Sequence, residues 1–187
     1  VTGGYIFSID KEADGWFSEV PPPTTGSGKR IQYSYIYPKL SALVPAQQQY
    51  LKSYVDSFET AVKGKEFQDK TYGWRRFADE KSFIDFMLIN EISRNVDGYR
   101  ISTYLFKDRQ SKGGKINAGP VWDYDLAFRN ANYCNGSDVT GWAYQFNLNC
   151  PDDYFQVPLW WYQFAKDSAY QSSLRCRWKQ FRFLPVR

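Results

Sequence analysis

Three aspartates sit where a short hairpin would gather them. Asp97 falls just before a stretch that alternates like a strand, Ile101 to Lys107, and Asp123 and Asp125 fall just after a second such stretch, Lys115 to Trp122. Asp108 to Gly114 supplies the turn. With the turn centred on Ser111, Asp97 and Asp125 are equidistant from it, so a regular hairpin sets them opposite each other on strands about 5 Å apart. Asp123 shares a face with Asp125, because strand side chains alternate with a period of two. Glu91, at the end of the preceding helical pattern, falls near the same end. Like charges brought that close need neutralising. A hard divalent cation, Mg²⁺ or Mn²⁺, does this with oxygen ligands and substrate phosphates and needs no histidine. Two other readings fit the same spacing. The aspartates can cap turns or pair with Arg94, Arg100 and Arg129, or two carboxylates roughly 5–10 Å apart can serve as acid and base in glycoside hydrolysis. Spacing leaves the three open.

Composition narrows the chemistry. The 187 residues contain no histidine, which removes Ser-His-Asp and Cys-His nucleophile systems and His-ligated metals. Lys and Arg number 24 against 20 Asp and Glu, and a net charge of +4 is too mild to argue for a nucleic-acid partner. Hydrophobic residues at 43% and charged residues at 24% are an ordinary globular balance. No window approaches the length of a membrane-spanning helix. The first residues carry no basic-plus-apolar leader. Aromatics at 19% predict a large aromatic core, with exposed tryptophans such as Trp142 or Trp160 as candidates for stacking on sugars. Cys134, Cys150 and Cys176 read either as three free thiols or, because Cys134 and Cys150 bracket a polar loop that needs holding, as a Cys134–Cys150 disulfide in an exported protein, the reading favoured here. A bridge closing a loop of that size contributes about 3 kcal/mol in the chain-entropy model.

The positioning elements read as α+β, mainly helical, in one domain. Gly4 to Asp10 and Gln32 to Tyr37 read as strands. Between them Pro21, Pro22, Pro23, Gly26 and Gly28 make a loop; Gly26-Ser27-Gly28-Lys29 is no phosphate loop, because Pro23 stands where the earlier glycine belongs. Pro45 opens a helix whose apolar residues Tyr50, Leu51, Tyr54, Val55, Phe58, Ala61 and Val62 recur at spacings of one, three and four, and Gly64 stops it. A second helix, Asp79 to Ile92, is apolar most of the way round and is expected to be central and buried. The chain is irregular to Val157, then Pro158 opens a helix carrying Trp160, Trp161 and Phe164. A last helix falls around Leu174 to Phe181.

Asn90-Glu91-Ile92-Ser93-Arg94-Asn95-Val96-Asp97-Gly98-Tyr99-Arg100, followed by Ser102-Thr103-Tyr104-Leu105-Phe106-Lys107-Asp108 and by Gly119-Pro120-Val121-Trp122-Asp123-Tyr124-Asp125, resembles the CotH family of spore-coat-H-type atypical protein kinases. Gly3-Gly4-Tyr5, Asp10-Lys11, Gln48, Gly141-Trp142, Trp160-Trp161 and Arg177-Trp178 add to the likeness, which is to the branch found in gut and rumen Bacteroidetes. The resemblance implies a kinase C-lobe-like fold with a β-hairpin bearing the active-site carboxylates. It implies phosphoryl transfer from ATP, with Mg²⁺ or Mn²⁺, to a protein hydroxyl. Asp97 then takes the place of the catalytic-loop aspartate. Asp123 takes that of the metal-binding aspartate, with Asp125 in support. Asn95 and Ser102 fall at the cofactor side, Ser102 where ordinary kinases carry an asparagine for a second metal. Family members carry a lobe ahead of the Gly3-Gly4-Tyr5 strand, so the expectation is the C-terminal-lobe part of a domain, trimmed at both ends. The resemblance and the possible disulfide together imply a secreted or cell-surface protein. The alternative kept from composition is a glycan-binding or glycan-processing module acting on polysaccharide.

Overall fold

Tyr5, Phe7 and Ile9 share one face of the first strand and all are buried on the core, while Ser8 on the other face is buried as well. The computed structural model describes residues 3–11, 14–23 and 28–183. Within them β1 (Tyr5–Ile9), β2 (Gly15–Phe17), β3 (Gln32–Tyr37), β4 (Thr103–Lys107) and β5 (Ile116–Ala118) form an antiparallel sheet in the order β2-β3-β1-β4-β5. Gly26 and Ser27 of the discarded phosphate-loop reading lie outside the described residues.

Helix α1 (Pro45–Lys63) covers the inner face of the sheet. Tyr50 packs on Tyr5, and Phe58 packs on Trp160, which stacks parallel to Tyr33. Glu59 of α1 is 1% exposed and, among the described residues, has no ion-pair partner. Its oxygens instead accept from Ser18 Oγ at 2.6 Å, Tyr33 Oη at 2.6 Å and Trp160 Nε1 at 3.0 Å. Burial, the largest influence, pushes its carboxyl up from the usual range against those three bonds. Trp160 is therefore a core residue and no sugar platform; its ring NH is the handle that anchors it.

Helix α2 (Glu80–Ser93) is capped by Asp79, whose Oδ1 accepts from Ser82 N at 2.9 Å. Phe83, Phe86 and Met87 face the core, with Phe83 against Phe58, Trp74, Trp161 and Phe164. The expectation of an all-round buried helix is corrected at Ile89 and Ile92, which are exposed. The short α3 (Phe146–Asn149) lies in the stretch read as irregular, and α4 (Leu159–Phe164) follows Pro158 as expected. Helix α5 (Ser168–Phe183) begins six residues before Leu174 because Asp167 caps it, Oδ1 accepting from Ala169 N and Tyr170 N. Asp167 also receives Arg75 at 2.6 Å and Trp74 Nε1, and these bonds hold its carboxyl below the usual range despite burial.

Candidate functional site

The hairpin carries the site differently from the regular ladder expected of it. Leu105 pairs with Ala118, Phe106 with Asn117 and Lys107 with Ile116. That register is one residue off the Ser111-centred one, because a single 3₁₀ turn at Gln110–Lys112 followed by Gly113 and Gly114 closes the loop. The ladder also stops at Ala118. Gly119 turns the chain at a φ of +118°, and Pro120 has no N–H to donate. Asp97, Asp123 and Asp125 therefore lie outside the strands, and Asp125 is not set opposite Asp97. Among the described residues no group of three Asp, Glu, Cys or His side chains is arranged to hold a metal ion.

Asp97 is placed by the turn that ends α2. Arg94 leaves the helix in the left-handed conformation (φ 50°), and its guanidinium donates to the carbonyls of Gly141 and Asn135. Asn95 N returns to Asn90 O at 3.0 Å, and Asn95 Oδ1 accepts from Asp97 N at 3.2 Å. Gly98 sits against the Asn90 side chain so closely that a Cβ would overlap it. Asp97 itself is only 6% exposed. Its Oδ1 accepts from Arg100 Nη2 at 2.7 Å and from Tyr133 Oη at 2.8 Å. Arg100, equally buried, also reaches Val96 O at 3.0 Å and Asp153 Oδ1 at 3.2 Å, and lies 3.9 Å over the Phe146 ring. The ion-pair reading thus holds at Asp97 with Arg100, while Arg94 and Arg129 bind carbonyls.

Asp123 is exposed and held at a φ of +58°, unusual for a residue with a side chain. Its Oδ2 accepts from Ser102 Oγ at 3.2 Å, and Ser102 is itself left-handed (φ 49°). The expected metal-side aspartate and one of the two expected cofactor-side residues, Ser102, are thereby in contact, while the other, Asn95, is bonded into the Asp97 turn instead. Asp10 had no place in the spacing argument, yet it belongs here. It follows Ile9, whose strand partner is Thr103, and it acts with Asp123 on the Tyr104 phenol. Burial is the main cause that raises Tyr104, with Asp10 and then Asp123 adding to it. The signal for Asp10 was its position at the end of a strand beside the hairpin. Trp122 packs edge-on to Tyr104.

Asp125 is exposed, and its carbonyl accepts from Asn130 Nδ2. Asn95 is buried beneath the Asp97 turn. Glu91 is spent on structure: it accepts from Tyr99 Oη, Ala143 N and Tyr144 N, so it caps the 3₁₀ turn Ala143–Gln145. Burial raises its carboxyl against these bonds. Larger surface recesses lie elsewhere, one of about 640 Å³ between α2 and α5 and one of about 900 Å³ along β3. Neither touches these aspartates, and size alone is a poorer guide than the converging polar groups.

The chain matches the family model described as CotH kinase protein over residues 4–183, and it belongs to the CotH family. It is a CotH-like kinase-type domain of α+β architecture. Comparison with curated proteins and with solved structures finds no match. The Cys134–Cys150 disulfide forms, with Cα atoms 5.7 Å apart, and is compatible with an extracellular protein; Cys176 is free and exposed. No helix among the described residues is long and apolar enough to cross a membrane.

Proposed function

We propose that this domain transfers a phosphoryl group from ATP to a hydroxyl of a protein substrate, outside the cell or at its surface. Asp97 faces the acceptor, and Asp123 with Ser102 faces the metal–nucleotide. The observation that carries the reading is the contrast between the two aspartates. Asp97 is desolvated and fixed by Arg100 and Tyr133, as a group that must orient one hydroxyl requires. Asp123 is open, with a hydroxyl beside it.

The donor set fits a hard cation. Asp123 and Ser102 offer oxygen ligands only, and Mg²⁺ or Mn²⁺ takes one or two carboxylates and completes its shell with phosphates and water. Asp125, exposed two residues on, supplies negative charge in support. Bound there, the cation would neutralise charge on the phosphate oxygens. The residues of the chain do the rest: Asp97 accepts the proton of the acceptor hydroxyl, Arg100 holds Asp97 in place, and Asn95 fixes the backbone of the turn.

Glycoside hydrolysis is less well supported, because it needs a carboxylic acid kept protonated. Among the described residues, Glu59 and Glu91 have carboxyls that burial raises overall, and both are enclosed by structural donors. The test is thermal unfolding with Mn²⁺ and ATP. A ligand at a hundred times its dissociation constant adds about 2.7 kcal/mol, which raises the midpoint of a domain this size by about 5–10 °C. The shift is expected in the wild type and absent in Asp123→Ala. An equal shift in both would remove Asp123 from the site.

A further inference from the structure

The Cys134–Cys150 disulfide ties together the two segments that grip the Asp97–Arg100 pair. On one side Tyr133, the neighbour of Cys134, donates to Asp97 Oδ1 at 2.8 Å. On the other, Asp153 follows Cys150 by one turn, its N–H bonded to Cys150 O, and takes Arg100 Nη1 at 3.2 Å. Phe146, whose carbonyl accepts from Cys150 N, is the ring under Arg100. Gln156 closes the same turn by donating to Cys150 O and Asp153 O. The hydrogen bonds, ion pairs and ring contacts to the pair from beyond its own turn therefore come, among the described residues, from Tyr133 and from residues 146–155.

We propose that Tyr133 and Asp153 are positioning residues for Asp97, and that the Cys134–Cys150 disulfide is the clasp that holds them there. Oδ1 of Asp97 is filled by Arg100 and Tyr133, and among the described residues Oδ2 takes no hydrogen bond. The clasp thus fixes one oxygen and leaves the other for an acceptor hydroxyl. Tyr133 is a third exposed, so its side chain is not held by burial alone. Its phenol is pushed up to about 12 by desolvation first and then by Asp97, as expected of a donor committed to a carboxylate. Arg100 needs two acceptors because its fork carries more donors than one carboxylate oxygen can take.

This inference rests on the phosphoryl-transfer reading for its consequence but not for its geometry, and the test separates the two. The chain is labelled with carbon-13 at tyrosine Cζ, and Tyr133→Phe assigns the Tyr133 resonance. Asp97→Asn and the Cys134→Ser/Cys150→Ser double variant are both expected to shift that resonance, and in the same direction. A resonance that stays put in the double variant, with the fold intact by circular dichroism, overturns the clasp. Tyr133→Phe and Asp153→Asn keep the disulfide and guard against a double variant that fails to fold. In a transfer assay both are expected to lower kcat about tenfold or more and leave the KM for ATP unchanged, since a small misplacement of a reacting group suffices for such a loss. Unchanged kcat in both overturns the positioning role. A wild type that transfers no phosphate removes the proposed function, while the labelled-tyrosine comparison still decides the clasp.

Discussion

Replacing Arg100 by methionine removes the cation from a buried pair and keeps most of the side chain's apolar length. Arg100 and Asp97 have side chains only 3% and 8% exposed, so the aspartate left behind cannot turn to water for compensation. It keeps the Tyr133 hydroxyl and loses the 2.7 Å guanidinium bond, and Asp153 loses its ion-pair partner while keeping the Phe155 N–H. Breaking one partner of a buried pair costs about 3–5 kcal/mol. At about 2–4 °C per kcal/mol for a domain of this size, the melting midpoint should fall by about 6–20 °C. The assay is thermal unfolding followed by circular dichroism, run as a double-mutant cycle with Asp97→Asn. Removing the charge of Asp97 should return part of the loss, with a coupling of about 2 kcal/mol between the two positions. A fall below about 3 °C, or strict additivity, would refute the pair as the anchor of Asp97.

Other expectations follow from residues that hold the site from further away. Glu59→Gln tests the buried carboxylate. Burial raises the folded carboxyl above its unfolded value, so its contribution is fully present below about pH 4.5 and is lost as pH rises through the folded value. Asp167 runs the opposite way, its contribution present above about pH 4 and lost on acidification. The loss in Glu59→Gln should therefore be larger at pH 5 than at pH 8, measured by urea unfolding at both; an equal loss contradicts the assignment. Gly98→Ala places a Cβ into the Asn90 side chain and should displace the Asp97 turn, at about 1–3 kcal/mol and with loss of activity. An alanine variant with unchanged midpoint and unchanged activity would contradict the close approach.

Much of the scaffold was legible because it rests on local rules. Strand β3 covers the residues read from its aromatic and β-branched run, and α1 starts at Pro45 and stops before Gly64. The disulfide joins the two cysteines flanking the polar loop. The hairpin was legible as a unit, but its register depended on how Gln110–Gly114 folds, and an offset of one residue separates sides of a strand. Extrapolating the ladder past Gly119-Pro120 then moved Asp125 to a place it does not occupy. Asp97 was singled out by hairpin spacing and given its expected role by the family resemblance, yet the groups that hold it come from far along the chain: its donor Tyr133 lies 36 positions away, and Asp153, the second acceptor of Arg100, lies 53 positions from that arginine, beyond any local pattern. The bonds of Trp160 and Glu91 were not legible for one reason: a buried polar group and its partner are read only once both are in space, here Trp160 with Glu59 and Glu91 with the Ala143–Tyr144 backbone.

The central claim is that Asp97 and Asp123 form one phosphoryl-transfer site with divided roles. The direct measurement is transfer of labelled γ-phosphate from ATP, with Mn²⁺, to a panel of hydroxyl-bearing protein acceptors, comparing wild type, Asp97→Asn and Asp123→Asn. The account predicts label on protein with the wild type and none above background with either variant, while Asp97→Asn still shows the Mn²⁺–ATP thermal shift and Asp123→Asn does not. Label that persists in Asp97→Asn, or a wild type that binds Mn²⁺–ATP and labels nothing, would contradict it.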